Sequence, residues 1–517
     1  MEAGVVTPPR GEIAHPRAAE YGSAKPRSEQ RTIGWLFGCT ALALIGLMGV
    51  GGLIMRLDQA HAIHISPSLF YRIMTIHGVG MIVAAVLAMS GGIWFAMRET
   101  LPLSFNRMLI NWSLTVAGAL TALVSVLFGG FATGWTFLFP LPFHSAGQWG
   151  TWAAVGYLLG LALVAIGFYV LCIEMVLKTL AKYGGIKRAI GYEFLRGRDD
   201  DPPPPPVIAG LAVGIQGIVT TGMGLAIVFA LLTRALDSST YINALWAKNL
   251  TYHYGHTLAN LAIYLAAGFL YMLLPRYAGR PWKTSKPIVI GWMATIFIVL
   301  TAYSHHLYMD FAQPAWAAGI SMVASSAAAI PVAVVTIYTG MMLVWGSRYR
   351  WTLASTLLYL GFAGWAIGGV GAVIDSLVPV NFHFHNTLWV PAHFHTYMML
   401  GIAMWALALV GYLLEHAAGE PSARFARIAA PVLLMVGGYG LVGGWYVSGA
   451  LGVPRRYADH FGGVTTYSVV AAIAALTFAT GVLIVFVEYL RLALVAKSRG
   501  GFRAAPAGAG ARAGAGA

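Results

Sequence analysis

Apolar residues run in long unbroken blocks along this chain, and polar residues gather in the gaps between them. Twelve blocks stand out, at roughly 32–55, 71–97, 108–137, 147–178, 207–233, 242–274, 287–311, 317–345, 352–374, 387–415, 427–450 and 463–491. At 1.5 Å per residue, each is about the length a helix needs to cross a ~30 Å hydrocarbon layer. The pattern predicts an all-α, polytopic membrane protein with twelve transmembrane helices. Residues 1–31 are polar, proline-bearing and too charged for a signal peptide, so the first helix is expected to be retained behind a cytoplasmic N-terminal tail. The body is expected over 32–492. Residues 493–517 form an Ala/Gly/Arg-rich tail, ending PAGAGARAGAGA, that is expected to be disordered. The loop 184–206 ends in DDDPPPPP, which reads as a stiff extended spacer between helices four and five.

Composition agrees with the block pattern. The 517 residues are 58% hydrophobic and 10% charged, which excludes an ordinary soluble enzyme. The net charge of +14 changes the picture only through its distribution. With the N-terminus placed in the cytoplasm, 26 of the 32 Lys and Arg residues fall on the inner side. Only Arg56, Arg72, Arg234, Lys248, Arg455 and Arg456 fall outside. That asymmetry is the positive-inside rule, so the basic residues orient the chain and imply no nucleic-acid partner. Both termini are expected to be cytoplasmic, in a bacterial or archaeal inner membrane. The two cysteines, Cys39 and Cys172, both fall in predicted helices and read as small buried hydrophobes.

The chemistry lies in the histidines. Of fifteen, His15, His61, His64, His144, His416 and His460 fall in tails, loops or helix ends and read as ordinary surface or interface residues. His77, His253, His256, His305, His306, His383, His385, His393 and His395 cluster in or beside the spans, where an ionisable group is by default functional. YSHHLYMD puts His305 and His306 side by side on helix seven. Neighbours on a helix diverge by about 100° yet can grip one metal between them, with His256 of helix six as a third ligand. Three neutral imidazoles without a carboxylate suit copper, and zinc less specifically. VPAHFHTYMM sets His393 and His395 two apart, about 200° round the helix. They leave opposite sides and suit two haem irons flanking helix ten. His77, in TIHGVGM, is a candidate second axial ligand for one of them.

With HG in helix two, GH in helix six, HH in helix seven, HFH in helix ten and PRRY before helix twelve, the chain resembles subunit I of the haem-copper oxidases. Its GHTLAN and HNTLWVPAHFH spacings are most similar to the B-type branch. The resemblance implies two haems and one copper ion. His77 and His395 would ligate the low-spin haem, His393 the high-spin haem, and His256, His305 and His306 the copper. His385 matches a histidine near a haem propionate, and Arg455 and Arg456 match the arginine pair that binds propionates. A second subunit carrying copper or haem c, and a cytochrome c-like electron donor, are implied as partners, with a small gas as substrate.

One position departs from that pattern. The resemblance places a cross-linked tyrosine four residues after the helix-six ligand, and here that residue is Asn260. An amide has no phenolic proton and no easy radical. Tyr252 and Tyr303 are the nearest alternatives by spacing, and neither fits the family's geometry. Relatives that reduce NO lack this tyrosine, so the sequence leans to NO reduction to N2O, with O2 reduction to water as the alternative. Tyr264 and Tyr271 continue one face of helix six from Asn260 toward the cytoplasm and mark a possible proton path. Asp375 and Asp310 lie near the outer ends of helices nine and seven, and Asp375 reads equally as a propionate or exit group and as an ordinary helix-end acid. His253 and His383 have no assigned role. Two other classes stay open: a proton or metal transporter, which would need paired intramembrane charges, and a haem-carrying subunit that only passes electrons.

Overall fold

The computed structural model describes residues 28–328, 330–459 and 466–502. Among them, twelve helices are long and apolar enough to cross a membrane. They are α1 (Ser28–Gln59), α2 (Pro67–Met97), α3 (Phe105–Leu127), α4 (Thr151–Tyr183), α5 (Pro205–Leu236) and α6 (Ala244–Ala278). Then come α7 (Lys286–Leu307), α8 (Ala315–Val344), α9 (Leu353–Ser376), α10 (Trp389–Ala418), α11 (Arg424–Ala450) and α12 (Thr466–Ser498). No β-strand occurs among the described residues.

Local chemistry sets the helix ends. Ser66 accepts from the Leu69 amide ahead of Pro67, Asn243 accepts from Trp246, and Thr352 and Ser355 form a reciprocal capping box. Where the sequence pattern overshoots, turn residues explain it. The third block was expected to reach 137, but α3 stops at Leu127 because Gly129 and Gly130 follow, Gly130 with φ of +71°. The spacer at 184–206 is not simply extended. It winds two single-turn helices, Ile186–Ala189 and Tyr192–Leu195, before prolines 205 and 206 start α5. At the other end α12 passes the expected boundary at 492 and runs to Ser498. Leu492 and Ala496 keep its apolar face buried, and Arg499 donates to the Ala418 carbonyl. The remainder of the expected tails, 1–27 and 503–517, lies outside the described residues.

Sequence neighbours pack together pairwise around the bundle, and α12 closes back on α1. Three helices stand apart from this ring. The apolar windows of α2, α6 and α10 are 83% buried, against 28–50% for the other nine. These three central helices carry His77, His256, His393 and His395.

Two of the ligand-bearing helices are irregular at the site. The regular winding of α7 ends at Ala302, and Tyr303–Leu307 form a tight 3₁₀ turn in place of the expected continuous helix. At three residues per turn, successive side chains diverge by about 120°. In α10 the opposite happens, and Met398–Ala403 widen into a π-helical turn. The glycines of α9 accommodate it: a Cβ on Gly364 would lie 2.3 Å from the Leu400 oxygen, and one on Gly361 2.9 Å from the Gly401 oxygen. On the other side of the site, the 454–456 loop is tied to the start of α10. Leu388 donates to the Val453 carbonyl and Arg455 to the Asn386 carbonyl.

Candidate metal centre

His256, His305 and His306 converge. One ligand nitrogen from each lies within 4.8 Å of the others. His256 Nδ1 is 3.1 Å from His306 Nε2, so these two nitrogens face the common point. The 3₁₀ turn brings His305 and His306 together, with ring centres 4.3 Å apart.

Surrounding groups fix the rings. His305 Nδ1 lies 2.8 Å from Ser325 Oγ, and Ser325 donates its own proton to the Ala302 carbonyl at 3.0 Å. The serine must therefore accept from an Nδ1–H, which leaves the His305 Nε2 lone pair free for a metal. His256 turns Nε2 outward to Asn260 Nδ2 at 2.8 Å. A half-turn of that amide exchanges donor for acceptor, so Asn260 can serve either tautomer of the ring. This donor set, three neutral imidazoles with oriented partners and no carboxylate, fits a copper ion.

His77 and His395 form a second arrangement. Their rings are 6.1 Å apart, centre to centre, with planes 11° from parallel. His77 Nδ1 donates to the Met48 carbonyl and His395 Nδ1 to the Pro391 carbonyl, each at 2.8 Å. Both Nε2 lone pairs are thereby free. Two metal–nitrogen bonds of about 2 Å, each from a ring edge, would leave ring centres about 6 Å apart. The pair fits the two axial positions of one haem. Gly52 makes room for it, since a Cβ there would sit 2.7 Å from the His77 ring.

His393 stands on the other face of α10, and among the described residues its buried Nδ1 has no hydrogen-bond partner. Outside the spans, Arg455 is partly buried and Arg456 exposed, and neither has a carboxylate partner among the described residues; Arg456 donates to Thr136 Oγ1 at 2.9 Å, while the buried Arg455 Nε and His385 Nδ1 are unpartnered. Burial, with Arg456 beside it, pulls the Arg455 guanidinium down to about 10. Burial and then Arg455 also lower His385. Unpaired buried guanidinium groups are costly unless an anion meets them, and the carboxylates of a porphyrin have the right chemistry.

Beside the trio lies a cavity of about 50 Å³, lined by His256, Asn260, His305, Tyr264, Trp365 and Tyr397 among others. The structure brings Tyr264 to that cavity but not Tyr271. Tyr271 bonds to Thr336 Oγ1 at 2.5 Å, and the Trp292 ring packs edge-on against both tyrosines. The alternatives weighed by spacing turn elsewhere. Tyr303 donates to Asn249, and Tyr252 stacks on His306 at 5.6 Å. Asp375 accepts from Trp389 Nε1, and Asp310 pairs with Lys248. Glu174, deep in α4, pairs with Arg107. His253 is a satisfied core histidine against Thr220, and His383 is exposed.

Sequence reading missed two features. Arg56 entered only as an outer-side charge, yet it is 3% exposed, with Nε and Nη2 unpartnered, one turn beyond Gly52 and its contact with His77. Its spacing from the glycines of α1 was the available signal. Tyr397, four residues after His393, was the other.

Comparison with known proteins agrees with this geometry. The profile of the family described as Cytochrome C and Quinol oxidase polypeptide I matches residues 32–479. The cytochrome c oxidase polypeptide 1 of Halobacterium salinarum is 24% identical over 88% of this chain and 77% of its own length. The cytochrome c oxidase subunit 1 of Bacillus subtilis is 23% identical over 86% of this chain and 71% of its own. In fold, the chain is similar to a heme-copper terminal oxidase dimer solved by cryo-EM, with a TM-score of 0.73, 19% identity, and coverage of 90% of this chain and 84% of that one.

Proposed function

The chain belongs to the cytochrome c and quinol oxidase polypeptide I family, and from that premise we propose that it is the catalytic subunit of a respiratory terminal reductase that passes electrons from a cytochrome c-like donor to O2. The coarser part needs no proposal: it is a multi-pass membrane oxidoreductase of the haem-copper type. That membership removes the transporter reading.

The convergence of the imidazole trio beside a cavity carries the proposal. In this reading His77 and His395 hold a low-spin haem, His393 a high-spin haem, and His256, His305 and His306 a copper ion. Arg56, Arg455, Arg456 and His385 lie around the porphyrin edges. The bound metals supply electrons and a binding point for the gas. The protein supplies orientation, through Ser325 and Asn260 on the ligand rings, and a cavity that confines the gas at the site. A second subunit carrying copper or haem c is the natural entry for electrons. A bacterial or archaeal cytoplasmic membrane with both termini inside is the matching location.

The choice of O2 reverses the lean drawn from Asn260 alone. Relatives over nearly the whole span are cytochrome c oxidases by name, and that supports O2 more than a single substitution supports NO. NO reduction to N2O remains the second reading. The Asn260 contact favours it, because the group on His256 Nε2 is an amide without a phenolic proton. The test is turnover of the purified complex with O2 and with NO separately, beside a haem and copper count. Two haems and one copper per chain, with O2 consumed at respiratory rates, is expected. N2O formation with negligible O2 uptake would move the assignment to the second reading. A preparation without copper would remove both.

A further inference from the structure

The contact between Asn260 and His256 uses only half of an amide. His256 Nδ1 lies 3.1 Å from His306 Nε2, so Nδ1 is the nitrogen that faces the common point of the trio. A neutral imidazole that offers its lone pair there carries its proton on the other nitrogen, Nε2. The amide atom 2.8 Å from Nε2 must then be an acceptor. An N–H of Asn260 in that place would set donor against donor. The half-turned amide, with Oδ1 on His256, is therefore the one that pairs in the metal-bearing tautomer. Its NH2 group, with two N–H donors, is left at the far end of the side chain.

That far end opens on the gas cavity. Asn260 is only half-buried, although it lies at the middle of α6, whose apolar window is 83% buried. His256, Ile263 and Tyr264, at −4, +3 and +4 from it, line the same cavity, so this face of the helix is the cavity wall. Among the described residues the Asn260 side chain makes no hydrogen bond besides the one to His256. Other polar groups of the wall are committed to backbone. The Ser325 hydroxyl donates to the Ala302 carbonyl, Ser376 to Val373, and the Trp365 indole to Ile263. At about 50 Å³ the cavity has room for only a few molecules the size of water, so a gas held in it touches the wall.

We propose that Asn260 is a catalytic hydrogen-bond donor, whose NH2 group holds the oxygen end of the diatomic gas and stabilises the negative charge that gathers there as electrons arrive. The inference rests on gas reduction as the function of the site. No N–H bond breaks in this role, so the amide needs no proton supply and is unchanged after each turnover. A fixed amide dipole in a site without bulk water acts more strongly than in solution and needs no reorganisation during the reaction. One side chain thus serves two neighbours. Oδ1 fixes the His256 ring, and that contact holds Nδ2 in place toward the substrate. The role suits O2 and NO alike, since each presents an oxygen atom.

The test uses the purified complex carrying Asn260→Leu, which keeps the side-chain shape without either polar end, or Asn260→Asp, which keeps an oxygen for His256 and removes the N–H. Carbon monoxide on the reduced centre is the probe, because its stretching frequency falls when a donor meets its oxygen. In the wild type the C–O band should move on exchange into D2O. In both variants the band should rise and lose that sensitivity, while copper content and the low-spin haem spectrum are kept. Gas turnover should fall about 100-fold. Should Asn260→Leu lose copper, Asn260→Asp carries the comparison. A measurement on the wild type needs no variant: light-driven release of carbon monoxide should perturb an amide band that moves with 15N in the asparagine side chains. A C–O band that keeps its place and its D2O shift in the variants, turnover above half of normal in Asn260→Asp, or no labelled amide band would overturn the assignment without touching the function. A wild-type complex that reduces neither gas would instead overturn the function itself.

Discussion

The histidine pair and the histidine trio solve different problems with the same ring. In the His77–His395 pair both Nδ1 atoms are tied to backbone carbonyls, and the ring planes lie near parallel with centres 6.1 Å apart. Nothing in that geometry leaves a place for a substrate. In the trio the rings tilt steeply to one another, with His256 and His305 at 86°, their outer nitrogens meet side chains, and a cavity opens beside them. The closed pair suits electron transfer and the open trio suits chemistry. Backbone holds the pair, so it is rigid. Side chains tune the trio, so it can be retuned by single substitutions.

The largest effect should come from separating the two sites outright. His305→Ala is expected to remove the copper and lower gas turnover by about a thousandfold or more, while the low-spin haem spectrum stays intact. His395→Ala should do the reverse to the spectrum. Optical spectra with a copper count check both. If His305→Ala also abolished the low-spin signal, the two sites would be one cooperative unit and the contrast would fail. A smaller effect is expected from Ser325→Ala, which frees the His305 ring without removing a ligand. Copper affinity should fall about 10–100-fold, measured by competition with a chelator. Because the pair is held by main-chain carbonyls, no single side-chain deletion should loosen it comparably. Smallest is Gly364→Ala, where the new Cβ would meet the Leu400 carbonyl at 2.3 Å. The expected cost is about 1–3 kcal/mol, seen as a lower thermal midpoint of the complex in detergent. An unchanged midpoint would mean that the widened turn of α10 is not held by α9.

The spans were legible because a hydrocarbon layer leaves the chain almost no freedom. Twelve apolar blocks became twelve helices, and errors gathered where glycines, as after Leu127, ended a helix early. Six candidate ligand histidines stood out in the sequence, because imidazole is costly in an apolar span, and the structure gathers five of them into a trio and a pair. Tyr397 and Arg56 did not. Only packing shows that Tyr397 lines the cavity and that the Arg56 guanidinium is buried with Nε and Nη2 unpartnered.

Sequence alone determined the class, the number of spans and the residues able to bind metal, since burial in lipid and imidazole chemistry are both properties of single segments. The tertiary structure decided which of those imidazoles share a point, which nitrogen each one turns inward, and which guanidinium nitrogens are left unpartnered. Those depend on a 3₁₀ turn in α7, a π turn in α10 and contacts between helices far apart in the chain. No pattern within one segment carries that information, because it is created only when the segments pack.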